Sequence, residues 1–306
     1  MSNYKYVVVH RRDINNVGDM ASNPLQYFLK PDEYKVVDID YIYNTDYPGD
    51  IPLIVGGGGL IANENFGDSL RNVLNPADKN QLLNLWNYRW NLSNPVNKDL
   101  HESFISEYSK LLKSYIDRID TNGPPKILWG AGHNGDVNKK NKLELNYPSW
   151  MVEFNLAGVR DWGQSVEWAP CASCMHPALR KEYSIKNDVI WFEHKKQLIK
   201  DFGNDSIPRF VNSGSNIEQT IEILGSANII LTNSYHGAYW GTLLKKKVVV
   251  VGAWSTKFYT FKHPPYVLEK NETWKEGVEK AMVHRHALSE CIDKTEQFWN
   301  KVKLLK

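Results

Sequence analysis

Three cysteines in 306 residues, an odd and small number, imply no disulfide framework. Long apolar runs are missing too: nothing in the chain approaches the ~20 residues that a membrane-spanning helix needs. The start, MSNYKYVVVHRRD, offers three valines before charge resumes, which is too short for the apolar core of a signal peptide. The expected setting is therefore a reducing cytosol. Charge of one sign is not in excess, with 37 Lys+Arg against 35 Asp+Glu. That balance excludes the basic footprint of a general nucleic-acid binder and the acidic block of a solvating tail. No internal repeat or low-complexity segment is visible.

What is present is ordinary globular material, 42% hydrophobic and 24% charged, enough for two cores. The length suggests about two domains at ~150 residues each. The aromatic load is heavy, with 11 Trp and 16 Tyr. Such rings fill cores, and they also stack on the C–H faces of sugars.

Short β-branched runs alternate with helical patterns. Strands are expected at Tyr4–His10, Tyr34–Asp40, Ile51–Val55, Lys126–Gly132 and Leu156–Asp161. A second series runs through DVIWFEH, PRFVNS, ANIILTNS and KVVVVGA, ending at Ala253. Helical stripes are expected from Asn80 to Trp90, Glu102 to Ile119, Lys195 to Asp201, Asn216 to Leu224 and Ala287 to Leu305. Strands alternating with helices predict parallel sheets covered on both faces, an α/β class. The boundary is placed at 183/184, giving an N-terminal unit of 1–183 and a C-terminal unit of 184–306 that includes the terminal helix. Ligands of such folds sit outside the carboxyl ends of the strands and favour domain interfaces. Residues directly after strands, in both halves, are thus expected to face one cleft.

Several segments stand at those places. NNVGDM holds Asn16, Gly18 and Asp19, where a tight turn meets a helix cap or a ligand. VGGGGL holds Gly57 and Gly58, which admit close backbone approach but lack the G-x-G-x-x-G fingerprint of dinucleotide binding. GAGHNGD places His133 among glycines, as a surface-loop residue or a site residue. GVRDWGQS joins Arg160 to Asp161; the guanidinium fork suits a carboxylate or phosphate, and the same pair also reads as a structural ion pair. PCASC contains a Cys-x-x-Cys, Cys171 and Cys174, without the two further ligands of a zinc site. Buried or loop thiols are the expected reading. ANIILTNSYHGAYWGTLL is the most informative stretch. Its apolar strand turns at Ser234 into a helix opened by Tyr235, His236 and Gly237. A helix start is a ready anion site, and a histidine there can contact an anion and transfer a proton.

Taken in order, NNVGDM, the GGGGL turn, GAG, GVRD and TNSYHGAYWGTLL resemble the polysaccharide pyruvyl transferase family. The set spans Asn15 to Leu244, and SYHG with a preceding VRD is its most specific part. WAPCASCM looks like a subgroup of bacterial capsule and exopolysaccharide members. Relatives often carry a serine three residues after the Asp of RD, whereas here Ser165 is four after Asp161. The resemblance implies two Rossmann-like domains facing a cleft, as in the GT-B glycosyltransferases. It implies transfer of pyruvyl from phosphoenolpyruvate to a sugar, closure of a cyclic ketal and release of phosphate. A hexose with free 4- and 6-hydroxyls, of galactose type and within a lipid-linked repeat, is the implied acceptor. Such an acceptor places the enzyme at the cytoplasmic face of the membrane, without a span and with no nucleic acid as partner. The terminal helix, carrying Lys294, Lys301, Lys303 and Lys306, either touches anionic lipid or packs across the two domains.

No metal or cofactor is implied besides phosphoenolpyruvate as co-substrate. The family's donor-site arginine matches Arg160 and its essential histidine matches His236; Asp161 is a further base candidate. Asn16, Gly18, Asp19, Gly57, Gly58, His133, Ser234, Tyr235 and Gly237 are the expected substrate contacts. Tyr235, Trp162 and Trp240 are candidate sugar platforms. Two rivals stay open. A nucleotide-sugar glycosyltransferase would share the fold, which does not fix function. A non-catalytic sugar-binding protein would have no need of Arg160 and His236.

Overall fold

The structure is a computed structural model that describes residues 4–12, 15–38, 50–61, 123–135, 145, 147, 151–152, 154–195, 199 and 206–305. The helical stripes expected at 80–90 and 102–119, and most of the one at 195–201, lie outside the described residues. The chain is of mixed α/β class, with two sheets whose strands pair in parallel throughout.

The first sheet contains β1 (Tyr6–His10), β2 (Tyr34–Asp38), β3 (Leu53–Gly56), β4 (Lys126–Ala131), β5 (Leu156–Val159) and the short β6 (Glu167–Trp168). Its order is β2-β1-β3-β4-β5-β6. The second contains β7 (Asn187–His194), β8 (Arg209–Asn212), β9 (Ala227–Thr232), β10 (Lys247–Val250) and the short β11 (Tyr266–Val267). From the other edge its order is β8-β7-β9-β10-β11. Both sheets thus begin with the same winding: the second strand lies on one side of the first, and later strands are added on the other. The chain reverses between β1 and β3 and again between β7 and β9. Such switch points open a crevice at the carboxyl ends of the strands.

Why these runs form central strands is visible in their burial. All five residues of β1 are buried, as expected for a strand covered on both faces. Alternation sends Val7 and Val9 to one core, with Leu53 and Leu128. Tyr6 and Val8 go to the other, with Ile54, Ile127 and Trp129. The second sheet splits likewise: Ile190, Phe192, Ile230 and Val248 face one core, while Trp191, Leu231 and Val249 face another. The two-residue strands β6 and β11 escaped the sequence reading because two residues show no period.

Five α-helices are described, besides short 3-10 turns: α1 (Val17–Ala21), α2 (Ile217–Gly225), α3 (Tyr235–Leu243), α4 (Trp274–Lys280) and α5 (Ala287–Leu304). The terminal helix α5 packs across both halves, one of the two expectations for it. Ala287 and Cys291 enter the core of the second sheet, whereas Phe298 and Val302 enter that of the first. Trp129 meets Phe298 at 5.2 Å and Trp299 at 5.9 Å between ring centroids. On its outer side Lys301 Nζ pairs with Glu167 at 2.6 Å. No helix among the described residues is long and apolar enough to cross a membrane.

Candidate functional site

A cavity of about 210 Å³ lies where the carboxyl ends of both sheets meet. From the first sheet come Arg11, Asn16 and Asp19 after β1, Gly58 and Gly59 after β3, Asn134 after β4, and Arg160 after β5. From the second come His194 and Lys195 at the end of β7 and Asn212 at the end of β8. Ser234, Tyr235 and His236 follow β9, and Trp254 and Lys257 follow β10. Four side chains of the wall are arginine or lysine (Arg11, Arg160, Lys195, Lys257), against the one carboxylate of Asp19. The volume is below the roughly 300–1,000 Å³ of drug-sized pockets, so a small anion fits better than a large ligand.

Arg160 is buried, 5% exposed, and its guanidinium lies over the Tyr235 ring at 3.7 Å. Its Nε is buried with no hydrogen-bond partner among the described residues. A buried donor without a partner costs about 1–3 kcal/mol, so natural sites keep such groups for a ligand or a functional constraint.

The turn from β9 to α3 is built by local bonds. Ser234 N–H donates to Thr232 Oγ1 at 2.9 Å, and Ser234 Oγ caps the helix by accepting from Gly237 N–H at 3.4 Å. Asn212 Nδ2 donates to Ser234 Oγ at 3.2 Å and to Asn16 Oδ1 at 3.2 Å, tying this turn to the first half. The helix N-terminus directs positive potential at the cavity. His236 follows at its second position. Burial, then the charges of Arg160 and Lys257, hold its imidazole well below the usual range, so it is neutral. The ring sits against Trp240 at 5.0 Å, against Gly18, and with Nε2 at 3.6 Å from Cys171 Sγ.

Lys257 is the residue the sequence reading passed over. It is 8% exposed, its Nζ lies 3.8 Å from the centre of the Trp254 ring, and burial, then Arg160, bring its pKa down to about 7. Asp19 pulls the other way. The turn that carries Lys257 is bolted to the first half. Thr256 N–H donates to Gly135 O at 3.0 Å, Thr256 Oγ1 meets His133 Nδ1 at 2.7 Å, and Ser255 Oγ donates to Asn134 Oδ1 at 2.8 Å. Lys257 stands seven residues past Val250, the last residue of β10, too far for the expectation that residues directly after a strand face the cleft.

The structure brings Asn16, Gly58, Asp19, Arg160, Ser234, Tyr235 and His236 together on one wall. The remaining expected contacts stand behind it. Asn16 also caps α1 by accepting from Gly18 N–H at 3.1 Å. Gly57 (φ +73°) lies against the Ser22 backbone, where no Cβ fits. Gly237 packs on Phe192, and His133 is fully buried in the bolt beneath Lys257. Trp240 is core, and Trp162 packs edge-on against Trp168 at 5.2 Å, away from the wall.

Asp161 requires a correction. Expected as a base, it stands off the cavity wall, 1% exposed, and both its oxygens are engaged. Oδ2 accepts from His133 N–H at 2.7 Å and from Tyr147 Oη at 3.0 Å; Oδ1 accepts from Thr260 Oγ1 at 2.9 Å. Thr260 O in turn accepts from Trp162 N–H at 2.8 Å, so Asp161 is a strut between the halves. Asp161→Ala is expected to destabilise the fold by about 3–5 kcal/mol, because it orphans three donors and removes the negative charge near Arg160. Urea denaturation measures this, and a loss under about 1 kcal/mol would contradict the strut.

Cys171, Cys174 and Cys291 are all free and buried. Burial pushes the Cys171 thiol up, so it is not a thiolate nucleophile beside neutral His236. No cluster of His, Cys, Asp or Glu among the described residues is arranged to hold a metal ion.

No protein-family profile matches the chain, and no curated protein matches it significantly. Among solved structures, a functionally uncharacterized protein from Klebsiella pneumoniae is similar over 88% of this chain and 94% of its own, at 13% identity and a TM-score of 0.42.

Proposed function

We propose that the protein transfers the pyruvyl unit of phosphoenolpyruvate to a sugar of a surface polysaccharide or its lipid-linked precursor, as a cyclic ketal. In this reading the two sheets are the cores of two Rossmann-like domains in a GT-B-like arrangement. The first presents the acceptor side and the second supplies the histidine of the donor site. The observation that carries it is the buried guanidinium of Arg160, its Nε without a partner among the described residues, in a small basic cavity shared with His236 and Lys257.

Phosphoenolpyruvate is a compact polyanion. Arg160 and the start of α3 supply two places for its carboxylate and phosphate. The chemistry needs one proton on the enol carbon, which makes C2 electrophilic. The first sugar hydroxyl then adds to C2 and loses its proton. Phosphate departs with the C–O electron pair, and the second hydroxyl closes the ring and loses its proton. One of those two protons balances the one placed on the methyl carbon, and the other leaves with phosphate. His236 serves as a proton-transfer group or as the partner of the phosphate. Lys257, with a pKa of about 7, is the cavity group suited to give and regain a proton near neutrality. No cofactor besides the co-substrate is needed. The site of action in this reading is the cytoplasmic face of the membrane, where a lipid-linked acceptor is presented.

The experiment is phosphate release from phosphoenolpyruvate with a panel of galactosides, glucosides and mannosides. Acceptor-dependent phosphate supports the reading. No release and no thermal protection by phosphoenolpyruvate, with protection by a nucleotide sugar instead, would move the assignment to glycosyl transfer; protection by sugars alone would leave a binding protein. A second expected result concerns pH. If protonated Lys257 is required, kcat/KM for phosphoenolpyruvate falls as pH rises through about 7. His236 stays neutral over that range and contributes no limb there. Lys257→Met is expected to abolish this limb and to lower turnover about 10²–10⁴-fold. A limb that persists in the variant would belong to another group.

A further inference from the structure

We propose that a chain of donors, from Trp240 through Ser173 to Cys171, fixes the proton of His236 on Nδ1, so that this histidine meets an anion in the cavity as a neutral hydrogen-bond donor. The direction of the chain follows from what each group can do. An indole N–H only donates. Trp240 Nε1 therefore donates to Ser173 Oγ, at 3.0 Å. Ser173 is fully buried and its own hydroxyl hydrogen needs an acceptor; Cys171 Sγ lies 3.2 Å away. With its sulfur accepting from Ser173, the thiol hydrogen of Cys171 is free to point at His236 Nε2, 3.6 Å from Sγ. Thiol and imidazole are both in their neutral forms, so the contact is S–H to N and not an ion pair.

The carrier of this chain is held firmly. Tyr239 Oη donates to Cys171 O at 3.0 Å, and Cys171 is fully buried. With Nε2 accepting the thiol hydrogen, the hydrogen of the neutral ring resides on Nδ1. That atom lies against Gly18, in the helix start that also supplies the cavity-lining Asn16 and Asp19. A neutral imidazole kept as a donor is an established device for stabilising negative charge on a substrate oxygen. Cys171 is thus a positioning residue acting through His236. Of the two roles open to His236, partner of the anionic oxygen is the one this tautomer serves, which leaves proton transfer to other cavity groups. That the oxygen belongs to phosphoenolpyruvate rests on the pyruvyl-transfer reading; the tautomer does not.

Ring-nitrogen NMR of the histidine-labelled full chain tests the tautomer directly, with His236 assigned by the signals missing from His236→Gln. The expected result is a protonated Nδ1 and an unprotonated Nε2, kept in Cys171→Ser, whose hydroxyl still donates. Cys171→Ala is expected to shift the ring toward the Nε2–H form. In phosphate-release assays Cys171→Ala is expected to lower kcat roughly tenfold or more, with KM for phosphoenolpyruvate changed less, and serine to restore most of the loss. An Nε2–H ring in the native protein would overturn the proposal, as would an unchanged ring in Cys171→Ala. A native Nδ1–H ring that responds to Cys171→Ala, in a protein that phosphoenolpyruvate neither protects nor reacts with, would uphold the donor chain while removing the pyruvyl-transfer reading.

Discussion

Arg160→Ala is expected to abolish thermal protection by phosphoenolpyruvate and to lower kcat/KM for it by at least about 10²–10³-fold, the loss typical of one preorganised donor aimed at substrate charge. The expectation rests on how the guanidinium is held. It lies 3.7 Å over the Tyr235 ring, buried between the two halves, and Nε has no partner among the described residues. A charge desolvated in this way interacts strongly with an incoming anion, because little water is present to screen it. The fold should survive the change. Asp161, the neighbouring carboxylate, keeps its donors from His133, Tyr147 and Thr260. Unfolding curves run beside the assays separate loss of ligand from loss of structure. Arg160→Lys is not expected to rescue, since an ammonium offers a point charge and neither the planar fork nor the stacking on Tyr235. A lysine or alanine variant with near-native KM would remove Arg160 from the site.

Much of the scaffold was legible in the sequence for a physical reason. Central parallel strands are buried on both faces, so runs such as Val7 to Val9 and Val248 to Val250 are continuous apolar stretches that little else produces. The turn at Ser234 was legible too, because a capping serine, an aromatic–histidine pair and a glycine follow an apolar strand directly. What could not be read is what docking creates. Lys257 becomes a cavity residue only because Thr256 and Ser255 are fastened to His133 and Asn134. Cys171 reaches His236 from a segment with no strand or helix period. Asp161 differs from Arg160 by one position along the chain. That single step turns one side chain into the cavity and the other into a buried network, and a dipeptide cannot show which. The terminal helix, counted with the second half in the division of the chain, packs across both halves, the second of the two expectations for it. Its apolar stripe is long enough to serve two cores, and periodicity does not say whose.

The same dependence on docking makes Gly18→Ala the most informative small change. Gly18 lies in α1, and a Cβ there would stand 1.9 Å from His236 Nδ1 and 2.6 Å from the ring carbons Cγ and Cε1. No heavy atom tolerates that approach, so the ring or the helix must move. The ring has little room: Trp240 packs on it at 5.0 Å, Tyr235 meets it edge-on at 5.2 Å, and Nε2 faces Cys171 at 3.6 Å. Helix α1 is held through Asn16, whose side chain bonds both Asp19 and Asn212. Forcing one methyl into such packing costs about 1–3 kcal/mol. The larger effect should be on turnover, because a displacement of about 1 Å in a reacting group lowers rate on the order of 10²-fold. Gly18→Ala is therefore expected to remain folded, with an unfolding midpoint only modestly lower, and to lose about as much activity as His236→Ala. Combining Gly18→Ala with His236→Ala should then cost little more than either alone, since both act through one ring. Full additivity of the two losses would mean that Gly18 touches the ligand itself, and that the tight contact between α1 and the histidine is packing without consequence for the reaction.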